Sequence, residues 1–185
     1  MRKHILPVAL VVVACIQLVA CRKTDSDAPQ SAPLSFEWTH LVKKEGDCSG
    51  ETSPCLTVDL KYPVAIGGGD SIRRAINSYM DEYVHRMLIS LVPDSTDSTV
   101  PNDSLILLLS DSYKNFAREY PEAPSQWSVE LKTAIIRNDS AIISFKTEVY
   151  TYMGGAHPLS VAEYVSFFTA TGKRVQLDDI VSDKK

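Results

Sequence analysis

Ten apolar residues between positions 72 and 91 fall on one face of a helix: Ile72, Ala75, Ile76, Tyr79, Met80, Tyr83, Val84, Met87, Leu88 and Leu91. They recur at offsets of three and four, the period of an amphipathic helix. Arg73, Arg74, Asp81, Glu82 and Arg86 fall elsewhere on it. A stripe of this length must be buried, because most helical stability in proteins comes from packing an apolar face. The chain must therefore supply a broad apolar surface to receive it. Asp70 reads as the N-cap, and Pro93 stops the run. Gly67-Gly68-Gly69 just before the helix lacks the Lys-Ser/Thr of a phosphate loop and reads as a chain reversal.

The receiving surface is written in period two. A first strand is expected around Ser35 to Lys44. A second runs from Leu56 to Tyr62, where Leu56, Val58 and Leu60 alternate with Thr57, Asp59 and Lys61. Residues 93–102 are rich in Asp, Ser and Thr and read as a loop. Asn102 or Asp103 then caps a second helix with Leu105, Leu108, Leu109, Tyr113, Phe116 and Tyr120 at helical spacing, ended by Pro121. From Gln126 the alternation returns, with Trp127, Val129 and Leu131. Asn138-Asp139 turns the chain, and Ala141 to Tyr152 runs back. Leu159 to Thr169 is a further strand. Thr171-Gly172-Lys173 leads into a short strand, Arg174 to Leu177, and Asp178-Asp179-Ile180 begins a helix. The expected class is α+β: a two-helix layer packed on a twisted antiparallel sheet, with an N-terminal β-hairpin.

The first twenty residues have a different character. Arg2, Lys3 and His4 precede an apolar run from Ile5 to Ala20, and Leu18-Val19-Ala20-Cys21 closes it. This is the pattern of a secretory signal peptide, and its last four residues resemble the bacterial lipobox. The resemblance implies cleavage before Cys21 and lipidation of its thiol. The run falls short of the ~20 apolar residues of a spanning helix. Cys15 also follows small apolar residues but lies inside the apolar run, so Cys21 is preferred. Residues 1–20 are read as the leader, 21–34 as a flexible Pro-containing tether, and 35–185 as one envelope domain. Arg22 occupies the position where some lipoproteins carry an Asp that retains them at the inner membrane, which points to the outer membrane.

The leader holds two of the 19 basic residues and none of the 23 acidic ones, so the chain without it has a net charge of −6. That balance disfavours nucleic acid and anionic lipid surfaces. Membrane attachment is expected through the lipid anchor alone. Cys48 and Cys55 remain in an oxidising compartment and are read as a disulfide. Their spacing is not Cys-x-x-Cys, and no second Cys pair or nearby His suggests a metal.

The second half carries a family signature. A strand with terminal tyrosines, then Gly154-Gly155-Ala156-His157-Pro158, a further strand, Thr171-Gly172-Lys173 and Leu177-Asp178-Asp179-Ile180 resembles a family of bacterial envelope domains. That family occurs beside the catalytic domain of a peptidoglycan deacetylase and in an anti-sigma factor that senses lysozyme. The resemblance implies helices on an antiparallel sheet, followed by a further helical and sheet portion. The chain stops at Lys185, where that continuation would lie, so a truncated product is expected, with its last strand at an incompletely covered edge.

Gly154, Gly155, Ala156 and His157 form the candidate ligand loop, although two glycines and a proline also describe a plain turn. Asp178-Asp179 reads as a helix start rather than a carboxylate pair. The Asp-Ser dipeptides read as caps and turns. No His-Glu-x-x-His or Gly-x-Ser-x-Gly occurs. The expectation is a binding or sensing module with no catalytic residue, metal or cofactor. Its candidate partners are peptidoglycan or a basic protein such as lysozyme. The alternative is a wall-modifying, deacetylase-type enzyme or its accessory half.

Overall fold

A computed structural model describes residues 33–50, 53–92, 99–123 and 126–181. The chain divides into two units, Met1–Gln30 and Ser31–Lys185. The leader and Cys21 lie outside the described residues.

The elements follow in the order β1 (Phe36–Gly46), β2 (Cys55–Ala65), α1 (Asp70–Leu91), α2 (Asn102–Glu119), β3 (Gln126–Asn138), β4 (Ile142–Met153), β5 (Leu159–Phe168) and α3 (Leu177–Ile180). They build one five-stranded sheet in sequence order, β1 to β5. The α+β class and the disulfide-bearing N-terminal hairpin stand as expected. The sheet, however, is mixed rather than wholly antiparallel, because β2 and β3 pair in parallel from Cys55↔Gln126 to Lys61↔Lys132. The physical reason is connectivity. Two strands joined by a tight turn run antiparallel, whereas a long crossover can bring the chain back in the same direction. Here α1 and α2 together form that crossover.

Six of the ten stripe residues of α1 are buried: Ile72, Ile76, Tyr79, Met80, Val84 and Leu88. The other four pack, partly buried, against two core clusters. One cluster joins Val84 and Leu88 to Leu105, Leu109 and Tyr113 of α2 and to Leu56, Leu60, Trp127 and Leu131 of the sheet. The second joins Ile72, Ile76 and Met80 to Ile143, Phe145, Val165 and Phe167. Each fully buried aliphatic or phenyl side chain contributes roughly 1.5–3 kcal/mol. On α2 the stripe is rotated from the expected one. Ile106 and Ser110 are buried while Leu108 and Tyr120 are exposed. Ser110 is satisfied there by donating to Glu45 Oε2 at 2.8 Å.

Local details depart where several signals compete. Gly69, not Asp70, is the N-cap of α1, and Asp70 sits in the first turn. There its carboxylate accepts from Arg73 and suits the helix N-terminus. Pro101 is the N-cap of α2, which frees Asn102 to bond His85. The expected strand at 174–177 shrinks to one bridge, Phe167↔Arg174, before α3 begins. Gly172, in the turn ahead of it, has φ +73, and a Cβ there would lie 2.7 Å from the Ser71 carbonyl oxygen.

Asp139 closes the β3–β4 hairpin as the Asp-Ser reading expects. Its Oδ1 accepts the backbone N–H groups of Ala141 and Ile142, both at 2.8 Å, and its Oδ2 accepts from Arg137 Nε at 2.6 Å. The Ile142 N–H most of all, then the Arg137 guanidinium, hold its carboxyl down to about 2 from the ordinary 3.8. A depressed value means that the ionised form stabilises the fold above pH 3.8 and that this contribution is lost as pH falls toward 2. Asp139→Ala is expected to lose less stability than the parent chain across that window. Urea midpoints measured above and below it check this, and equal losses would contradict it.

Candidate functional site

Both long helices contribute to the core on one side of the sheet, so alternate strand residues face solvent on the other. Register gathers them into rows that cross all five strands. One row runs Val42, Asp59, Glu130, Tyr150, Ser160. The next runs His40, Lys61, Lys132, Glu148, Ala162. Beside them Ala134, Lys146 and Tyr164 form a shorter row.

The charges on this face are paired. His40 Nε2 lies 2.8 Å from Asp59 Oδ1, Lys132 Nζ donates to Glu130 Oε2 at 2.7 Å, and Lys146 Nζ lies 2.7 Å from Glu148 Oε1. Lys61 Nζ stands 5.8 Å over the Trp38 ring. The hydrogen bond to Glu130, with Asp59 and Glu148 nearby, raises the Lys132 ammonium above its ordinary value. Glu148 does the same for Lys146. Two lysines and a histidine thus meet three carboxylates, a third lysine stands over Trp38, and the face is near neutral on an acidic chain.

Between β3, β4 and β5 the face carries a cavity of about 340 Å³ lined by Glu130, Lys132, Glu148, Tyr150, Ser160 and Ala162, among others. It exists because β5 places small residues, Ser160 and Ala162, beside large ones on β4. Tyr150 is 36 % exposed and Tyr164 is 62 % exposed. This arrangement can hold a ligand with an apolar face and many hydrogen-bonding groups.

The sequence candidates lie elsewhere. Cys48 and Cys55 are bonded, with Cα atoms 5.0 Å apart, across the loop between β1 and β2. Gly154, Gly155, Ala156 and His157 form the loop joining β4 to β5, with Gly154 at φ 78. Gly155, Ala156 and His157 are exposed. This loop lies just beyond the Tyr150–Ser160 row. Asp178 and Asp179 open α3, and Asp179 Oδ1 accepts from Lys173 Nζ at 2.8 Å.

A second cavity, about 570 Å³, opens between α1 and the start of α2 and includes Asp81, His85 and Asn102. Asn102 Oδ1 lies 3.1 Å from His85 Nδ1 and its Nδ2 donates to Asp81 at 3.2 Å. Residues 93–98, which link the two helices in sequence, lie outside the described residues. Among the described residues, no three His, Cys, Asp or Glu side chains gather as a metal site. No described helix is long and apolar enough to cross a membrane.

A sequence profile of the family described as deacetylase PdaC matches residues 49–160. The chain belongs to the deacetylase PdaC family. The match includes β2 to β4 and both long helices, so this family's sequence pattern covers most of the face. A solved DUF3298 family member from Bacteroides fragilis NCTC 9343 is similar at 14 % identity and TM-score 0.53, covering 84 % of this chain and 64 % of its own. Another DUF3298 family protein, from Pseudomonas aeruginosa PAO1, is similar at 15 % identity and TM-score 0.44, covering 81 % and 59 %. The chain therefore spans less than two thirds of either structure. No curated protein matches it.

Alternation in the strands shows which residues of this PdaC family chain face outward. It does not show that Asp59, Glu130 and Tyr150 lie side by side. That depends on the parallel β2–β3 pairing, a contact between segments separated by two helices.

Proposed function

We propose that this chain is a non-catalytic binding module of the bacterial cell envelope, tethered by lipid on Cys21 and facing the periplasm or the cell surface at the outer membrane. Its ligand is peptidoglycan, taken on the helix-free face of the sheet. The observation that carries the reading is that face: aromatic and paired charged side chains aligned over five strands, with a cavity among them. Membership of the deacetylase PdaC family agrees with the resemblance to envelope domains found beside a peptidoglycan deacetylase, and that supports the envelope setting. A near-neutral face suits a wall polymer better than a strongly basic protein, whose steering needs a negative patch.

The test is cosedimentation of the purified full chain with isolated sacculi, beside capture on immobilised lysozyme, each at low and high salt. Retention on sacculi at both salts is expected. Capture by lysozyme alone, lost in high salt, would replace the wall with a basic protein. Acetate release from sacculi would favour the deacetylase-type enzyme instead.

A further inference from the structure

We infer that the groove between β3, β4 and β5 is a subsite for an N-acetylated sugar of the wall glycan, rather than for its peptide. This rests on the proposed binding of peptidoglycan and identifies which part of that polymer is held.

The groove has the two features a pyranose ring needs. Its apolar side is Tyr150, a partly exposed ring whose neighbour across the hairpin is Ser160. Nothing bulky at Ser160 or Ala162 blocks a flat ring from lying along it. Its polar side is Glu130, Lys132 and Glu148. A carboxylate has about four acceptor positions and an ammonium has three donors. The contacts of Lys132 with Glu130 and of Lys146 with Glu148, each at 2.7 Å, leave most of that capacity unused. Sugar hydroxyls and an acetamido N–H alternate donors with acceptors and can fill it. Tyr164 stands one row further along β5, beside Lys146, where the next sugar of an extended chain would reach. A cavity of about 340 Å³ lies in the size range of small-molecule sites, roughly 300–1,000 Å³.

Charge argues against the other ligands. A cationic peptide would meet Lys61, Lys132 and Lys146, and a polyanion would meet Asp59, Glu130 and Glu148. An uncharged sugar meets neither penalty and finds donors and acceptors already ordered by the sheet.

The probe is a β-1,4-linked tetramer of N-acetylglucosamine, titrated calorimetrically into the full chain in detergent. Saturable binding is expected. Tyr150→Ala should weaken it roughly 10-fold, the size of one aromatic contact. Ser160→Tyr, which fills the groove from an exposed position, should abolish it. Circular dichroism confirms that each variant is folded. If sacculi are retained but the tetramer does not bind, or if Ser160→Tyr binds it unchanged, the sugar subsite is wrong while the wall-binding reading stands. If sacculi are not retained either, both fall.

Discussion

Phe145→Ala is expected to destabilise the protein by about 3–5 kcal/mol, the usual range for deleting a buried phenyl ring. Phe145 is fully buried on β4. Its ring packs edge-on against Phe36 at 5.9 Å and Phe167 at 6.3 Å between centroids. These partners come from β1 and β5, the two outermost strands of the sheet. Removing the ring therefore leaves a cavity bounded by elements far apart in the chain, beneath α1. Such a void cannot collapse without moving the sheet edges. Urea unfolding checks this, and a loss below about 1 kcal/mol would show that the second core cluster is not packed as described.

Replacing both Cys48 and Cys55 by Ser is expected to cost roughly 2–3 kcal/mol. The bond closes a short loop, and its chain-entropy contribution is correspondingly limited. The contact is well supported locally. Asp47 N–H donates to the Pro54 carbonyl at 2.9 Å beside it. Gly46 has φ +89, and a Cβ there would lie 2.5 Å from the Pro54 oxygen. The hairpin is thus shaped for close approach before the sulfurs join. Cys55 is also the first residue of the β2–β3 parallel ladder, so loosening the loop reaches the central pairing. Unfolding of the double variant against the parent, both non-reduced, measures the effect. An unchanged midpoint would mean that the backbone contacts alone hold the hairpin.

Much of this fold was legible in the order of residues because the signals were periodic and local. The α1 stripe packs as its spacing implies, and the turn at Asp139 forms from a carboxylate reaching two N–H groups two and three residues ahead. Leu108 is exposed despite its helical spacing, because α2 presents apolar residues on several faces. Leu105, Ile106, Leu107 and Leu108 are consecutive, and only packing decides which point inward. Arg174 to Leu177 read as a strand, but the segment has only Phe167 to pair with before α3 starts. The parallel pairing of β2 with β3 left no local mark, since their contact depends on how two helices fold between them. The candidate face inherits that difficulty. Each of its residues was visible as an outward position, while its geometry belongs to the register.

The most direct test of the central claim is lysine footprinting of the full chain with and without sacculi, read by mass spectrometry. Lys132 and Lys146 lie on the helix-free face, with side chains 60 % and 30 % exposed, whereas Lys114 on α2 is 50 % exposed. Bound sacculi should protect Lys132 and Lys146 and leave Lys114 reacting at its original rate. Protection of Lys114 with Lys132 and Lys146 unchanged would place the ligand on the helices and contradict the account.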